Sequence, residues 1–335
     1  MNLRWGLLAA GTIAAELATG IKESETGELA AVAARSGDRA AEFAARFGIP
    51  KSYGSYEELL ADDEIDIVYI STPHPLHAVW AINAAEAGKH VLCEKPLTMT
   101  HAEAELVIDA ARRNDVFLME AFMYRIHPQI RRMAKLIESG RLGEVRAVDV
   151  TFSFDAGGSE ASRLADPDLG GGGILDVGCY CTSLARLVSE AATGIKAVAP
   201  PEVMGMARLD PVTRVDEVAM GLLRLPGAIL AQISCGFRLQ QNDHIRVYGT
   251  DAQLYIARPP WLHGMRRPGV SEIVVTPLDG EPEVVEVEAK KGIFASEVDY
   301  VAAHIADRQA PEISWKESLA NMRTLDLWRE AVGVS

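Results

Sequence analysis

The sequence predicts an α/β protein in which a doubly wound parallel sheet is followed by a second α/β domain with a large, open and mostly antiparallel sheet. Over the first third of the chain, short apolar runs alternate with helix-like segments, which is typical of a parallel sheet with helices on both faces. From Ala197 to Val287, apolar runs follow one another without helices between them, which indicates an antiparallel or mixed sheet. The pattern changes near Tyr124–Pro128, where we expect the domain boundary.

The apolar runs of the first third are nearly continuous, as strands buried on both faces require. The predicted strands are Trp5–Ala9, Glu28–Ala34, Ile65–Ser71, His90–Cys93 and Val116–Glu120. The predicted helices are Thr12–Ile21, Asp38–Phe47, Tyr56–Ala61, His77–Ala87 and His101–Arg113. Gly48 and Gly88 mark two helix ends, because glycine readily adopts the left-handed conformation that closes a helix.

The second part begins with a predicted helix over Gln129–Ser139 and a strand over Val145–Phe154, whose alternating pattern suits a half-buried sheet. A stretch rich in Gly, Asp and Ser, Asp155–Gly173, predicts a long loop, and Ile174–Ser189 predicts a helix. Seven further strands are predicted over Val203–Arg208, Glu217–Leu225, Ile229–Phe237, His244–Tyr248, Gln253–Ile256, Glu272–Thr276 and Glu283–Val287. The closing helices are predicted over Phe294–Asp307 and Lys316–Glu330.

The overall charge disfavours nucleic acid as a partner. The 335 residues include 33 Lys and Arg against 47 Asp and Glu, which gives a formal net charge of −14. Because binding to nucleic acid and to anionic membranes depends on cationic contacts, we expect a small-molecule partner instead. The sequence has no secretory pattern and no apolar stretch of about 18 residues that would span a membrane. The four cysteines form no CxxC pair, so we expect a reducing, cytoplasmic location.

The segment after the first predicted strand is similar to a phosphate-binding turn. The pattern G-x-G-x-x-G/A is expected there, and the chain has Ala9, Gly11 and Ala14 at its three key positions. Gly11 would let the backbone approach a pyrophosphate, and the helix that starts with Thr12 and Ile13 would direct its free N–H groups at that anion. Because Ala9 replaces the first glycine, a tight turn without a ligand is the alternative.

The end of the second predicted strand distinguishes NADP(H) from NAD(H). An acidic residue there would hold the ribose 2′-hydroxyl of NAD(H), whereas this chain has Arg35 and Ser36, with Arg39 one turn on. A guanidinium offers planar, paired donors suited to a phosphate. The sequence therefore favours NADP(H), with NAD(H) as the second choice and an exposed loop arginine as the alternative role for Arg35.

Two motifs resemble those of a known enzyme family. Residues 91–96 are Val-Leu-Cys-Glu-Lys-Pro, and residues 170–180 are Gly-Gly-Gly-Gly-Ile-Leu-Asp-Val-Gly-Cys-Tyr. Together they resemble the Gfo/Idh/MocA family of glucose-fructose oxidoreductase-like enzymes, most closely its dihydrodiol dehydrogenase and D-xylose dehydrogenase branch. The similarity also includes residues 31–35, 53–59, 71–77 and 119–128, so it covers essentially the whole chain.

The resemblance implies a Rossmann dinucleotide-binding domain over residues 1–124 and a substrate-binding and oligomerisation domain over residues 125–291. It implies that closing helices over about residues 292–335 pack back on the first domain. A homodimer or homotetramer would form through the open sheet. The implied reaction is hydride transfer between the nicotinamide and a hydroxyl-bearing carbon of a sugar or a cyclic diol.

The resemblance places Lys95, Asp176 and Tyr180 at the reacting centre. Removing hydride from an alcohol carbon requires a base within reach of the hydroxyl proton. A tyrosine has a reference pKa of about 10, and a neighbouring ammonium such as that of Lys95 favours the phenolate. Tyr180 would donate or accept the proton, and Asp176 would hydrogen-bond a substrate hydroxyl. Their four-residue spacing predicts one helix face, with Asp176 in the first turn. The resemblance also suggests a cis bond before Pro96.

Five further residues and Lys95 itself are expected near the cofactor. Thr72, Pro73 and His77 follow a predicted strand and would line the dinucleotide, with a Pro-rich loop and a helix cap as the alternative. Glu94 would contact the cofactor or pair with Lys95, and Arg125 is a candidate for another cofactor contact. Lys95 would orient the nicotinamide ribose or the substrate hydroxyl.

On the substrate side, His127 is a candidate for a substrate contact or a structural role, and Phe154 and Arg163 would line the site. The histidines lack the spacing of metal ligands, so we expect no metal. Two other function classes stay open: a redox-assisted glycosidase with a tightly bound nicotinamide cofactor, and a non-catalytic NAD(P)-sensing regulator. The presence of Lys95, Asp176 and Tyr180 argues against the regulator, because such relatives can lose the lysine.

Overall fold

The computed structural model describes residues 2–157, 163–200, 202–262 and 265–334. They form two compact units, of which the first comprises Met1–Ile126 and Lys290–Ser318. The second comprises His127–Ala289 and Leu319–Ser335. Each unit contains one sheet with helices packed on it, so the predicted α/β fold class is confirmed.

The sheet of the first unit is entirely parallel. Its six strands are β1 (Leu3–Leu8), β2 (Gly27–Ala33), β3 (Lys51–Tyr53), β4 (Ile67–Ile70), β5 (His90–Cys93) and β6 (Leu118–Glu120). Their order across the sheet is β3-β2-β1-β4-β5-β6. The order reverses between β1 and β4, and the carboxyl ends of strands at such a switch point are where doubly wound sheets bind ligands.

Five helices connect these strands. They are α1 (Thr12–Glu23), α2 (Gly37–Phe47), α3 (Tyr56–Leu60), α4 (His77–Glu86) and α5 (His101–Arg113). Local signals set their ends: the hydroxyl of Thr100 accepts the backbone N–H of Glu103 at the start of α5, and Gly48 closes α2 at a φ of 65°. The predicted bounds of α5 and β5 agree with the observed ones.

The sequence does not predict strand β3. The strand is only three residues long, has no apolar run, and pairs only with β2 at the edge of the sheet. Side chains from beyond the strand support it, because Asp62 accepts hydrogen bonds from the ammonium of Lys51 (2.8 Å) and the hydroxyl of Tyr53 (2.7 Å). Such contacts leave no periodic signal in the sequence.

The sheet of the second unit has eight strands and is open. They are β7 (Val145–Ser153), β8 (Glu202–Leu209), β9 (Asp216–Leu225), β10 (Ile229–Gly236), β11 (His244–Gly249), β12 (Ala252–Ile256), β13 (Gly269–Pro277) and β14 (Glu283–Ala289). Their order is β14-β13-β12-β11-β7-β10-β9-β8, and only β7 and β10 pair in parallel. The predicted mostly antiparallel sheet is therefore confirmed.

Helices cover one face of this sheet. Helix α6 (Pro128–Glu138) contacts β13 and β14, and helix α7 (Cys179–Thr193) contacts β7 and β10. The opposite face carries exposed apolar side chains, as the alternation of exposed and half-buried residues along β8 shows. This pattern is typical of an antiparallel sheet packed on one side only.

The segment before α7 differs from the sequence prediction. A single helix was expected over Ile174–Ser189, but Ile174–Gly178 forms a π-helical turn and the α-helix begins at Cys179. The predicted loop Asp155–Gly173 lies partly outside the described residues, at 158–162. Around that gap, the described part includes a short helical turn over Pro167–Leu169.

The two closing helices belong to different units, at least in part. Helix α8 (Ile293–His304) packs on α1 within the first unit. Helix α9 (Trp315–Val332) is divided, because residues from Leu319 onward belong to the second unit. The expectation that both helices pack on the first domain therefore needs correction for α9. Trp328 is the physical reason, since its indole donates to the carbonyl oxygen of Met220 in β9 (3.3 Å).

Candidate active site

The turn between β1 and α1 has the backbone of a phosphate-binding turn. Ala9, at the position of the first glycine in the pattern, has a φ of 92° in the left-handed region that favours glycine. A Cβ atom on Gly11 would point into open space. Helix α1 starts without a side-chain cap, so the first-turn N–H groups, including those of Thr12 and Ile13, can bind an anion.

Thr72 and Pro73 lie directly after Ser71 at the carboxyl end of β4. Thr72 is 5% exposed, and its Oγ1 atom has no hydrogen-bond partner among the described residues. An unsatisfied buried hydroxyl costs about 1–3 kcal/mol, which a hydrogen bond to a ligand would recover. This atom, the space beside Gly11 and the uncapped start of α1 fit a dinucleotide.

The start of α2 carries two arginines and a hydroxyl. Arg35 and Arg39 are exposed. Ser36 is the N-cap residue of α2, but its hydroxyl makes no capping hydrogen bond. Burial raises the pKa of the Tyr56 phenol, while the guanidinium groups of Arg35 and Arg39 act in the opposite direction. Tyr56 therefore lies close to both cations. The sequence analysis missed Tyr56 because it resembles an ordinary apolar residue of α3.

The Glu94-Lys95-Pro96 segment follows β5. Glu94 is 8% exposed, and its Oε1 atom accepts the hydroxyl hydrogen of Tyr69 (2.5 Å) while Oε2 accepts the backbone N–H of Lys95 (3.2 Å). Lys95 is half-buried, and the bond between Lys95 and Pro96 is cis. Glu94 thus fixes the backbone that carries Lys95. Tyr69 was missed because it belongs to a continuous apolar strand.

His77 lies between the loops that follow β4 and β5. Its ring is fully buried, with Nδ1 2.9 Å from the carbonyl oxygen of Pro96 and Nε2 2.9 Å from that of Thr72. Burial lowers the pKa of His77 to about 4, although the two carbonyl groups favour the protonated ring. Because both nitrogens face backbone, His77 holds the loops after β4 and β5 together.

Arg125 is buried in an ion pair. Its Nη1 atom donates to Oε2 of Glu317 (2.9 Å), and the two side chains are 3% and 6% exposed. The predicted cofactor contact of Arg125 stays a prediction. Glu317 was not predicted as its partner, because it lies 192 residues further along the chain. A buried pair of this kind holds both side chains in place, because separating either partner would leave an unpaired buried charge.

His127 takes the structural role that the sequence analysis left open. It is 3% exposed, and its Nδ1 atom accepts the backbone N–H of Gln129 (3.2 Å) at the start of α6. Burial lowers the pKa of His127 to about 4. The ring is therefore the cap of α6 and stays neutral near neutral pH.

In the second unit, Asp176 lies in the π-helical turn before α7. It is 8% exposed and accepts a hydrogen bond from Nη2 of Arg163 (3.2 Å). Asp176 lies in the first turn of the helical segment, as expected, but this turn is π-helical and the α-helix starts only at Cys179. π-Helical turns occur often at functional sites. The structure does bring together Asp176 and Arg163, which the sequence analysis assigned to the substrate side.

Tyr180 lies within an aromatic cluster. Its ring centroid is 5.2 Å from that of Phe152 and 5.8 Å from that of Trp261, and the Phe152 and Trp261 rings are stacked 5.4 Å apart. Tyr180 is 4% exposed. The sequence analysis missed Phe152 and Trp261. Phe152 has the alternating pattern of any strand residue, and Trp261 follows β12 without a motif that would mark it.

Phe154 lies elsewhere in the second unit. It packs against a small apolar cluster formed by Ala156, Leu164, Val215 and Phe237. This packing gives Phe154 a structural contact, and its predicted place beside the substrate stays a prediction. The aromatic ring beside Tyr180 comes instead from Phe152, two residues earlier on the same strand.

Two features are absent from the residues that the structure describes. No group of three or more His, Cys, Asp or Glu side chains could hold a metal ion in this part of the chain. Within the same residues, no helix combines the length and the apolar character that crossing a membrane requires.

Comparison with known proteins identifies the family. Residues 3–122 match the sequence model described as "Oxidoreductase family, NAD-binding Rossmann fold", and residues 130–255 match the GFO/IDH/MocA C-terminal domain. The chain belongs to the Gfo/Idh/MocA oxidoreductase family. The Rossmann-type order of the parallel sheet and the large second sheet agree with this membership.

Relatives within the Gfo/Idh/MocA family cover nearly the whole chain. A D-xylose 1-dehydrogenase (NADP(+)) of Haloferax volcanii is 36% identical over 97% of this chain and 95% of its own length. A trans-1,2-dihydrobenzene-1,2-diol dehydrogenase of Mus musculus is 32% identical over 100% of this chain and 98% of its own. A 3-ketoreductase from Actinomadura kijaniata, solved with NADP and TDP-benzene, is 26% identical with a TM-score of 0.86 over 99% and 98% of the two chains.

Proposed function

We propose that the protein transfers a hydride between NADP(H) and a hydroxyl-bearing carbon of a sugar or a cyclic diol, with Tyr180 as proton donor or acceptor and Lys95 assisting. The observation that carries the proposal is that this chain belongs to an oxidoreductase family and that its sequence contains all three of Lys95, Asp176 and Tyr180. The names of two relatives, a D-xylose dehydrogenase and a dihydrodiol dehydrogenase, support the substrate class.

The first unit would hold the cofactor. Gly11 and the start of α1 would bind the pyrophosphate, and the hydroxyl of Thr72 would donate or accept a hydrogen bond. Arg35 and Arg39 would bind the 2′-phosphate that distinguishes NADP(H) from NAD(H), because guanidinium groups form strong paired hydrogen bonds with phosphate. The NADP-dependent relatives support this preference. When bound, the nicotinamide supplies or accepts the hydride.

Tyr180 would move the proton that accompanies the hydride. In the oxidation direction the phenolate accepts the hydroxyl proton of the substrate, and in the reduction direction the phenol returns it. The ammonium of Lys95 would stabilise the phenolate and orient the same substrate oxygen. Phe152 and Trp261 would limit the access of water to the phenol, since their rings contact the Tyr180 ring.

Asp176 and Arg163 would orient the substrate. The ion pair keeps the Asp176 carboxylate in place, and a carboxylate accepts hydrogen bonds from vicinal hydroxyl groups. The C–H face of a sugar or a diol ring would pack on the aromatic cluster around Tyr180. Sugars and cyclic diols share this combination of neighbouring hydroxyls and an apolar face.

The experiment that tests the function is a screen of nicotinamide absorbance with NAD⁺ and NADP⁺ against aldoses, inositols and trans-dihydrodiols. We expect substrate-dependent formation of NADPH with at least one aldose or dihydrodiol. Cleavage of a glycoside without net change in cofactor absorbance would replace the proposal with a redox-assisted glycosidase. Tight cofactor binding without turnover of any of these compounds would favour a regulator.

We also propose that the exposed sheet face binds a second copy of the chain. Five apolar side chains on neighbouring strands of this face are between 52% and 82% exposed: Met204, Met206, Met220, Leu222 and Leu230. Contiguous exposed apolar surface of this kind often marks an interaction site. We expect Met220→Glu to shift sedimentation toward the monomer, while Leu106→Glu, at an exposed apolar position of α5, leaves it unchanged. A wild-type monomer would contradict this assembly.

We further propose a cytoplasmic location. The four cysteines are buried and form no disulfide bond, which suits a reducing compartment. Cell fractionation would test this, and recovery of the protein outside the cytoplasm would contradict it.

A further inference from the structure

Four consecutive glycines precede the π-helical turn that carries Asp176. Gly170 and Gly172 have φ values of 67° and 106°, which favour glycine. A Cβ atom on Gly171 would lie 2.4 Å from the carbonyl oxygen of Leu164. The backbone that leads into the turn therefore requires glycine at these positions, because of positive φ values and a close backbone contact.

Asp216 closes the same segment from the other side. A Cβ atom on Gly172 would lie 2.2 Å from Oδ1 of Asp216, and one on Gly173 would lie 3.4 Å from Oδ2. The Oδ2 atom accepts the backbone N–H of Ile174 at 2.6 Å. Asp216 is the first residue of β9 and is 2% exposed. The carboxylate therefore fills the space that the glycines leave.

Asp216 acts as a helix cap from a distant part of the chain. The helical segment that starts at Ile174 has Gly173 at its cap position, and no local side chain caps it. The first N–H groups of a helix need acceptors, and a carboxylate also interacts favourably with the positive end of the helix. Asp216 meets both needs across 42 residues of sequence.

We propose that Asp216 is a positioning residue for the reaction, because it fixes the π-helical turn and thereby the orientation of Asp176 towards Arg163 and of Tyr180 towards Phe152. This inference rests on the proposed function for its activity readout. The π-helical turn is wider than an α-helical turn. Without the cap, the segment would relax towards regular α-helix, and the angular offset between Asp176 and Tyr180 would change.

The charge of the cap gives the inference a pH signature. Burial raises the pKa of Asp216 to about 7, although the backbone N–H of Ile174 and the guanidinium of Arg329 in α9 favour the carboxylate. The buried thiol of Cys235 in β10 also interacts with Asp216, whose charge raises the pKa of the thiol further. The charged cap is present above about pH 7 and is lost as the pH falls below it. Turnover through this site should fall in the same range.

The experiment compares three variants of the full-length protein. Asp216→Ala removes the acceptor, and we expect kcat to fall about 10-fold to 100-fold, as for loss of a hydrogen bond to a charged group. Asp216→Asn keeps an oxygen but does not ionise, so we expect intermediate kcat without the acidic limb near neutral pH. Asp210→Asn is the matched control, because Asp210 accepts the N–H groups of Val212 and Thr213 in a nearby turn.

The KM for NADP⁺ should change little in all three variants, since Asp216 and Asp210 belong to the second unit. Wild-type kcat in Asp216→Ala, or an unchanged acidic limb in Asp216→Asn, would overturn the inference. If the wild type turns over no sugar or diol, the proposed function fails and a crystal structure of Asp216→Ala decides the inference. Loss of hydrogen bonding to Ile174 with an altered turn at Ile174–Gly178 supports it, and an unchanged turn in Asp216→Ala contradicts it.

Discussion

The Nδ1 atom of His77 lies 2.9 Å from the carbonyl oxygen of Pro96, the residue that follows Lys95. The Nε2 atom lies at the same distance from the carbonyl oxygen of Thr72. One buried ring thus contacts both loops at the carboxyl edge of the sheet. A residue without direct contact to the cofactor can in this way position the lysine on which the proposed chemistry depends.

Burial of His77 predicts loss of stability in acid. Its pKa is about 4 in the folded protein against 6.5 for the free side chain, so the unfolded chain binds the extra proton first. The free energy of unfolding should therefore fall as the pH drops from about 6.5 towards 4, by up to about 3 kcal/mol from this group. His77→Asn should lower stability at neutral pH but flatten this slope.

A second variant for the same prediction is His127→Asn. The asparagine keeps a cap for α6 but removes another buried histidine, whose pKa is also about 4. Urea titrations at several pH values measure both effects. Slopes in the two variants as steep as in the wild type would show that these rings do not set the acid sensitivity.

Arg35 should distinguish the two cofactors. Arg35→Ala is expected to weaken NADP(H) binding by about 1.5–3 kcal/mol, because a charged hydrogen bond to phosphate is lost, and to leave NAD(H) binding nearly unchanged. Arg46→Ala is a matched control, since Arg46 lies in the last turn of helix α2, at the opposite end from Arg35. Fluorescence titration measures the affinities. Equal losses for both cofactors would argue against a 2′-phosphate contact.

Ala9 holds a backbone conformation that glycine adopts more easily. Its φ of 92° strains the folded state by about 1–2 kcal/mol for a residue with a Cβ atom. A glycine would remove this strain, but it would also lower the free energy of unfolding by about 0.4–1 kcal/mol, because the unfolded chain gains entropy. We therefore expect Ala9→Gly to raise the free energy of unfolding by about 0.5–1 kcal/mol. Ala10→Gly, whose φ is not positive, should lower it. Destabilisation by both substitutions would contradict this account of the turn.

Trp328 requires glycine at position 221 of the second sheet. A Cβ atom on Gly221 would lie 2.9 Å from the indole Nε1, which donates to the carbonyl oxygen of Met220. Gly221→Ala should cost about 1–3 kcal/mol through overpacking. Gly269→Ala is the control, because no atom lies within 4 Å of its added Cβ. Denaturant unfolding compares them, and equal effects would refute the steric explanation.

The sequence predicts those strands and helices whose ends are set by residues within or next to the element. Strand β5 and helix α5 have their predicted bounds because buried apolar runs and caps define them without help from distant residues. Strand β3 was not predictable, since Asp62 supports it from outside the strand. The boundary within α9 depends on the packing of Trp328, which the helical pattern does not reveal.

The candidate site was predictable through its motifs and not through its supporting contacts. Motifs predicted Lys95, Asp176 and Tyr180 as site residues, and the roles of these three residues are proposals. Trp261 and Asp216 come from segments without a motif, and their positions depend on tertiary packing. The π-helical turn was also missed, because the sequence of Ile174–Gly178 satisfies an ordinary helical pattern.

The most direct test of the central claim is turnover of NADP⁺ with a sugar or diol substrate by Lys95→Ala and Tyr180→Phe, with NADP⁺ affinity measured in the same preparations. Lys22→Ala, at an exposed position of α1, is the control. We expect both site variants to bind NADP⁺ but to lose kcat by about 100-fold or more, the usual contribution of a positioned acid or base. Turnover at the wild-type rate in either site variant would contradict the account.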